Sequence, residues 1–401
     1  MRNKKNLALA VAILLLAAPP ARAQLLDTLL PPAIPGYGQK FSVIAEHRQF
    51  APGATGWDFG GISAAPSLAL AAGYDSAPGG GSASTLLQAT PSLLLTDPIA
   101  GFGLYAQAGE NAYPRDRAQN TSTAVIAGGE RITLPRETIT ASAAYLRGAA
   151  TGFAFDTTQI TRPILFTLQN GRISDEITAG LFTLTPDFSA SRYNFSGTAD
   201  AANRTELRES TTLAYTQGGP LTALFRVSAT QLDYTLSTQN ASIYELLAGI
   251  QETQDGLWTL SLLAGGAQRR PRTGSGLIAP VLEARADWMP TSLDQISVTG
   301  SREIDTSDAI SASPYTQTSI KLAVTQEYLE NVTLKVLADF AYAQYMHVNL
   351  REFLATGDIN MQWRATPALA LVGDYSFNTR QANMLGAANE HVVTLGLTWT
   401  P

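Results

Sequence analysis

Three histidines, His47, His347 and His391, make up the whole imidazole complement of this 401-residue chain, and no cysteine accompanies them. Imidazole and thiolate are the usual ligands of zinc and the usual companions of a nucleophilic side chain. Without cysteine, thiol catalysis, disulfides and Cys-based metal sites are excluded. The histidines form no His-x-x-x-His spacing, so neither a metal site nor any cofactor is expected. A hydrolase needs a histidine beside a serine or a carboxylate on an accessible rim. Only His347, in an expected loop near carboxylates, fits that description, and a solvated loop histidine is the simpler account. His391 falls on an apolar face near a strand start. No Gly-x-Ser-x-Gly elbow and no Walker pattern occurs. Gly79-Gly80-Gly81-Ser82 has the flexibility of a phosphate loop, but no lysine follows it and it lies between expected strands. No catalytic residue is therefore expected.

The residues with the most chemistry to offer are charges spaced by two among apolar neighbours. Glu283, Arg285 and Asp287 alternate with Leu282, Ala284, Ala286 and Trp288. Lys335 and Asp339 alternate with Leu334, Val336, Ala338 and Phe340, and Lys321 sits between Ile320 and Leu322. Asp358 and Arg364 bracket Ile359, Met361 and Trp363; Asp374 separates Gly373 from Tyr375; Glu327 follows the same pattern. Period-two alternation describes a β-strand with one apolar and one polar face. On the wet side of a barrel such charges either set ion or sugar selectivity or pair across strands and fill the interior. Their mixed sign argues against a strongly anion-selective pore.

The elements that carry these residues are long. About 18 strands (16–18) of roughly 11–15 residues are expected between residues 62 and 399, against a usual 5–6, and that length suits a tilted membrane crossing. Trp258, Trp288, Tyr328, Tyr342, Trp363, Phe377 and Trp399 fall near strand ends, where membrane-interface girdles sit. Tight connections (Thr133-Leu134-Pro135, Pro186, Gly218-Gly219-Pro220, Asp255-Gly256, Glu330-Asn331, Thr366-Pro367) alternate with generally longer ones, such as 76–82, 112–118 and 304–313. Alternating loop length is the mark of short periplasmic turns and longer external loops. Strands are expected at 174–185 and 187–197 with Pro186 as the turn, which leaves a long loop 150–173 that either folds inward as a constriction or caps the outside. A sheet in lipid must close, because unpaired backbone groups there cost several kcal/mol each. The expected fold class is all-β: a transmembrane antiparallel up-and-down β-barrel, wide enough at 16–18 strands for an aqueous channel.

Composition agrees with a two-faced sheet. Charged residues are 15% and hydrophobic ones 45%, so the polarity comes from Ser, Thr, Asn, Gln and Gly. Typical soluble domains carry about 25% charged residues. The acidic balance and the lack of a basic stripe argue against nucleic acid as a partner. Arg2, Lys4 and Lys5, the apolar run Leu7–Ala18 and Ala21-Arg22-Ala23 form the three regions of a secretory signal peptide, residues 1–23. Its removal takes Arg2, Lys4, Lys5 and Arg22, so 27 basic residues become 23 against 33 acidic ones, a formal charge of −10. Residues 24–61, with Pro31-Pro32 and Pro35-Gly36, are expected to be an irregular periplasmic segment: a lumen plug, a docking peptide, or disordered. Residues 62–401 are expected to be the barrel. Arg269, Arg270 and Arg272 flank an expected external loop and suit lipopolysaccharide phosphates or plain solvent.

Three stretches carry a resemblance. Pro66–Asp75 and Pro91–Leu95 repeat Pro-Ser-Leu-x-Leu. Trp288-Met289-Pro290-Thr291 is followed by Gly300-Ser301-Arg302-Glu303 and Ser313-Pro314-Tyr315-Thr316-Gln317-Thr318. Thr394-x-Gly396-x-x-Trp399 is similar to the C-terminal assembly motif of bacterial outer-membrane proteins, although the chain continues to Thr400-Pro401. Together they resemble the β-barrel porin type 2 family of Gram-negative bacteria. The resemblance implies transport by a porin-like channel for hydrophilic solutes in the cell outer membrane, not an enzyme. Its implied partners are outer-membrane lipid and lipopolysaccharide, the barrel-assembly machinery and polysaccharide export components. Some such families accompany exopolysaccharide gene sets, which implies assistance to exopolysaccharide export. A structural or adhesive barrel that binds surface polymers is the alternative, and an outer-membrane hydrolase a weaker one.

Overall fold

The computed structural model describes residues 25–37, 56–97, 99–153, 155, 162–197, 202–254, 257–306, 314–346, 348–383 and 386–401. The expected signal peptide, His47, His347 and the tip of the loop before β7 lie outside these residues. A short helix α1 (Leu25–Leu29) and a three-residue strand β1 (Trp57–Phe59) precede the long strands. These are β2 (Ile62–Asp75), β3 (Ser84–Asp97), β4 (Phe102–Ala112), β5 (Thr121–Leu134), β6 (Glu137–Ala150) and β7 (Ile164–Ala179). Next come β8 (Phe182–Phe195), β9 (Arg204–Thr216), β10 (Leu221–Tyr234), β11 (Ala241–Gln254), β12 (Trp258–Pro271) and β13 (Leu277–Thr291). The last are β14 (Asp294–Thr306), β15 (Pro314–Leu329), β16 (Val332–Tyr345), β17 (Arg351–Thr366), β18 (Leu369–Ala382) and β19 (Gly386–Trp399).

Each long strand pairs antiparallel with its neighbours in sequence, and β19 returns to β2 in the register Val392↔Asp75 to Trp399↔Leu68. The result is a closed barrel of 18 long strands, the class and count expected from periodicity. Closure gives every long strand two partners and leaves none of them as a sheet edge. At the seam Thr394 opposes Gly73 and Gly396 opposes Ala71. A Cβ on Gly396 would stand 2.7 Å from the Leu70 carbonyl oxygen. The Thr-x-Gly of the C-terminal motif thus lies on the closing seam, where Gly396 leaves room for the β2 backbone.

Ladder partners share a face, so one inside residue assigns its neighbours. Outside, Leu70, Ile126, Leu246, Ile359 and Leu395 lie exposed in mid-strand, the last at 66%. On the same strand as Leu395, Thr394 faces inward at 9%. One end of the barrel is closed by two-residue turns at 135–136, 180–181, 292–293, 330–331 and 367–368. The other end carries longer connections, including 76–83, 113–120, 151–163 and 196–203.

The largest departure from the sequence reading lies at β7–β8. β7 begins at Ile164 and the turn to β8 is Gly180-Leu181, so Pro186 lies within β8 instead of at a turn. The β7–β8 ladder passes from Ser174↔Asp187 directly to Ile177↔Leu184. The pairing is interrupted opposite Pro186, which has no N–H to donate. The connection expected at 150–173 shortens to 151–163, and Phe166 belongs to β7.

The inner face is not uniformly polar. Val125, Ala127, Ala144, Leu146, Phe166, Leu168, Tyr193 and Phe195 form a buried cluster on β5–β8, together with Leu26, Leu30, Ile34 and Tyr37 from the N-terminal segment. A smaller cluster on β11–β13 holds Leu247, Leu263, Ala267, Leu277, Ala279 and Val281.

Candidate functional site: the charged lumen

From β9 round to β19, between the apolar clusters, the inner wall is ionic. Arg204, Glu206 and Arg208 occupy successive inner positions of β9. The Arg204 guanidinium lies 4.3 Å from the Tyr193 ring centroid and 5.8 Å from that of Tyr234, a cation–π stack across the adjacent strands β8, β9 and β10. Arg226 on β10 donates to Glu283 on β13 and stands 3.7 Å from Glu245 on β11. Arg208 faces Glu206, Glu245, Glu283 and Glu303 within electrostatic reach. Five strands, β9, β10, β11, β13 and β14, thus contribute to one knot of charge.

Next to it, Asp287 is buried at 1%. It accepts hydrogen bonds from Arg285 (Nη2, 3.1 Å) and from the Ser297 hydroxyl at 2.6 Å. The paired Trp258 and Trp288 lie beside it.

A second group lies on β15–β19. Lys321 and Asp339 are ladder partners. Lys335 opposes Thr325 and Asn360. Asp374 accepts a hydrogen bond from Asn360 Nδ2 at 3.1 Å, and Asp358, opposite Leu337, stands close to both Asp374 and Lys321. Arg364 opposes Ala370, and Glu327 opposes Thr333, both near the tight-turn end. At the long-loop end, Glu390 accepts from Asn378 Nδ2 (2.8 Å) and the Gly79 N–H (3.1 Å). There the Tyr113 phenol donates to Asp75 at 3.1 Å. Burial, with Asp75 alongside, pushes that phenol up, so Tyr113 remains a donor at neutral pH.

The connection 151–163 does not stay on its own side. Phe155 packs on Tyr315, with ring centroids 5.6 Å apart, and against Ala341, Leu354 and Tyr345. Arg380 on β18 donates to the Gly152 carbonyl oxygen. β6 and β15 are nine strands apart in an 18-strand ring, so this chain crosses the lumen to the opposite wall.

The ten charged residues singled out from sequence therefore fall into separate places: Glu283, Arg285 and Asp287 at the knot; Lys321, Lys335, Asp339, Asp358 and Asp374 on the second group; Arg364 and Glu327 near the turn end. Arg204, Glu206, Arg208, Arg226, Glu245 and Glu303 were not legible as site residues, although Arg204-x-Glu206-x-Arg208 carries the period-two signal. Periodicity alone places a strand at 206–217, two residues short of the start of β9, which cuts that pattern. Of the aromatic residues, Trp258, Trp288, Tyr328, Trp363 and Trp399 lie toward the tight-turn end, and Tyr342 and Phe377 toward the long-loop end. His391 joins the latter on the outer face, 4.8 Å from the Phe377 ring and hydrogen-bonded to the Tyr375 hydroxyl at 3.0 Å. Among the described residues no group of three or more His, Cys, Asp or Glu is placed to hold a metal ion.

A closed barrel with an apolar belt outside and a charged, partly crossed lumen inside is a porin-like β-barrel. Residues 268–400, from the end of β12 through β19, match the family described as "Putative beta-barrel porin 2". No curated protein matches the chain. Among solved structures, OccK2 (OpdF) of Pseudomonas aeruginosa in complex with glucuronate is similar at 12% identity, with 84% of this chain and 98% of that one covered and a TM-score of 0.46. OpdL of Pseudomonas aeruginosa is similar at 11% identity (86% and 99% covered, TM-score 0.45). The siderophore receptor PirA of Pseudomonas aeruginosa is similar at 10% identity (84% and 80% covered, TM-score 0.42).

Proposed function

We propose that the protein is a porin-like channel for small hydrophilic solutes in the outer membrane, exported by its signal peptide (residues 1–23). The observation that carries this reading is the ionic inner wall of β9–β19 inside a closed barrel whose outer face is apolar. Charges in mid-strand are costly in lipid and useful in water. Carboxylates outnumber basic groups on that wall among the described residues, so the channel prefers cations weakly. Assistance to exopolysaccharide export belongs to the same proposal and rests on the family resemblance alone.

Single-channel recording in planar bilayers tests it. Stepwise conductance with a cation-preferring reversal potential under a KCl gradient is the expected result. A correctly folded barrel that conducts in no condition would sink the channel reading. It would favour instead a structural or adhesive barrel, which the crossing of the lumen by Gly152 and Phe155 supports.

Two variants refine it. Asp358→Asn with Asp374→Asn removes two carboxylates that crowd each other. The pair of changes is expected to lower the cation-over-anion permeability ratio about twofold, as lumen rings of charge do elsewhere. Phe155→Ala removes the far-wall anchor of the crossing chain. Single-channel conductance is expected to rise by roughly half or more, with folding intact by heat-modifiable gel mobility.

A further inference from the structure

Residues 25–37 lie inside the barrel, against a wall that has no business in water. We propose that Leu25–Tyr37 is a resident strap, an intramolecular peptide ligand seated on the inner faces of β4–β8, and that it confines the aqueous path to the charged wall. The confinement rests on the channel reading above; the seating does not.

The seat is built from three kinds of contact. The first is apolar. Leu26, Leu30, Ile34 and Tyr37 are buried against Val125, Leu146 and Leu168 and their neighbours, and Ile34 has no exposed surface at all. Were the strap absent, these wall residues would face a lumen whose opposite side is ionic, and their removal from water is the force that seats the peptide.

The second is a backbone cradle. Gly103 on β4 and Gly129 on β5 are ladder partners on the inner face. A Cβ on Gly103 would lie 2.7 Å from the Ala33 carbonyl oxygen, and one on Gly129 would lie 2.3 Å from that of Pro35. Any side chain at Gly129 would therefore occupy the place of the strap backbone. The pair of glycines leaves room for it.

The third is polar. The Tyr37 hydroxyl donates to Asn170 Oδ1 at 2.7 Å. Arg172 Nη1 donates to the Gly36 carbonyl oxygen at 2.8 Å and to Asp27 Oδ1 at 3.3 Å. Pro31, Pro32 and Pro35 stiffen the strap and remove three N–H groups that would otherwise need partners. Pro32 and Ala33 turn their exposed sides to the remaining lumen.

The chain has no cysteine, so one engineered thiol reports one site. Ile34→Cys and, as an exposed control, Pro32→Cys are reconstituted in vesicles and treated with a small polar maleimide. Cys reactivity follows local opening, and the thiol at 34 is expected to react about tenfold or more slowly than the thiol at 32. Adding Gly129→Val is expected to bring the two rates together and to raise single-channel conductance. Should Gly129→Val fail to assemble, Arg172→Ala, which removes the polar clamp and leaves the wall intact, gives the same comparison. Equal reactivity at 34 and 32 in the otherwise native chain overturns the strap. Exposure of the thiol at 34 with no change in conductance overturns the confinement. A protected thiol at 34 in a barrel that conducts in no background supports the seat and sinks the channel reading alone.

Discussion

Ile359→Arg is expected to destabilise the barrel by about 2–4 kcal/mol, read as a lowered midpoint of denaturant unfolding in lipid vesicles. Ile359 sits in the middle of β17 on the outer face, with Val336 and Tyr375 as its ladder partners. An arginine there places a guanidinium at the depth where lipid offers no partner, and position 359 is too far from either end of the strand to let it reach an interface. The adjacent change, Asn360→Arg, points the same side chain into the lumen beside Asp374. Its expected cost is about 1 kcal/mol or less, since the new cation finds a carboxylate and water. Two neighbouring positions, one substitution and opposite outcomes: similar costs at 359 and 360 would mean that the outer face does not meet lipid.

Arg285→Met is expected to cost about 3–5 kcal/mol in the same unfolding measurement, because it strands a buried carboxylate. The Asp287 side chain has no exposed surface and Arg285 has 13%, so solvent screening is slight. After the substitution the Ser297 hydroxyl remains as the hydrogen-bond donor to Asp287 among the described residues. The double variant Arg285→Met with Asp287→Leu is expected to recover most of the loss, since a well-packed apolar pair commonly equals a buried ion pair. The double variant should keep the wild-type reversal potential, because the pair adds no net charge to the path. A single variant as stable as the wild type would show that water reaches Asp287 freely. A shifted reversal potential in the double variant would make the pair part of the selectivity filter instead.

These two outcomes separate two roles that the sequence merged. Glu283, Arg285 and Asp287 share one alternating run with Leu282, Ala284 and Ala286, and the run says only that they share a face. Asp287 proves to be a buried acceptor next to a Trp258–Trp288 pair, whereas Asp358 and Asp374 stand near each other with a single lysine close by. Burial depth and cross-strand company are not written in the alternation.

The missed residues have the same cause. Arg226 reaches Glu283 across β11 and β12, three strands away. No local spacing connects position 226 to position 283. The curvature of the sheet does so, and it depends on the register of every strand between them. The inward course of residues 152 and 155 was one of two alternatives in sequence. It is settled by partners on β15–β18 that lie some 160–230 positions further along the chain.

By itself the sequence determined the strand count, the lipid-facing side of the cleanly alternating strands β13 and β15–β19, the end of the barrel that carries the tight turns, and the absence of thiol chemistry. All of these follow from period-two hydropathy and composition, which are local properties of the chain. Only the tertiary structure decided what fills the lumen. Part of the inner wall of β5–β8 is apolar (Val125, Leu146, Phe166, Leu168), and over that patch hydropathy alone could not tell it from a lipid face. It became an inside wall because closure at β19–β2 put it there, and Leu26, Leu30, Ile34 and Tyr37 cover it. The fold's outline is a matter of neighbours in sequence; the path through it is a matter of neighbours in space.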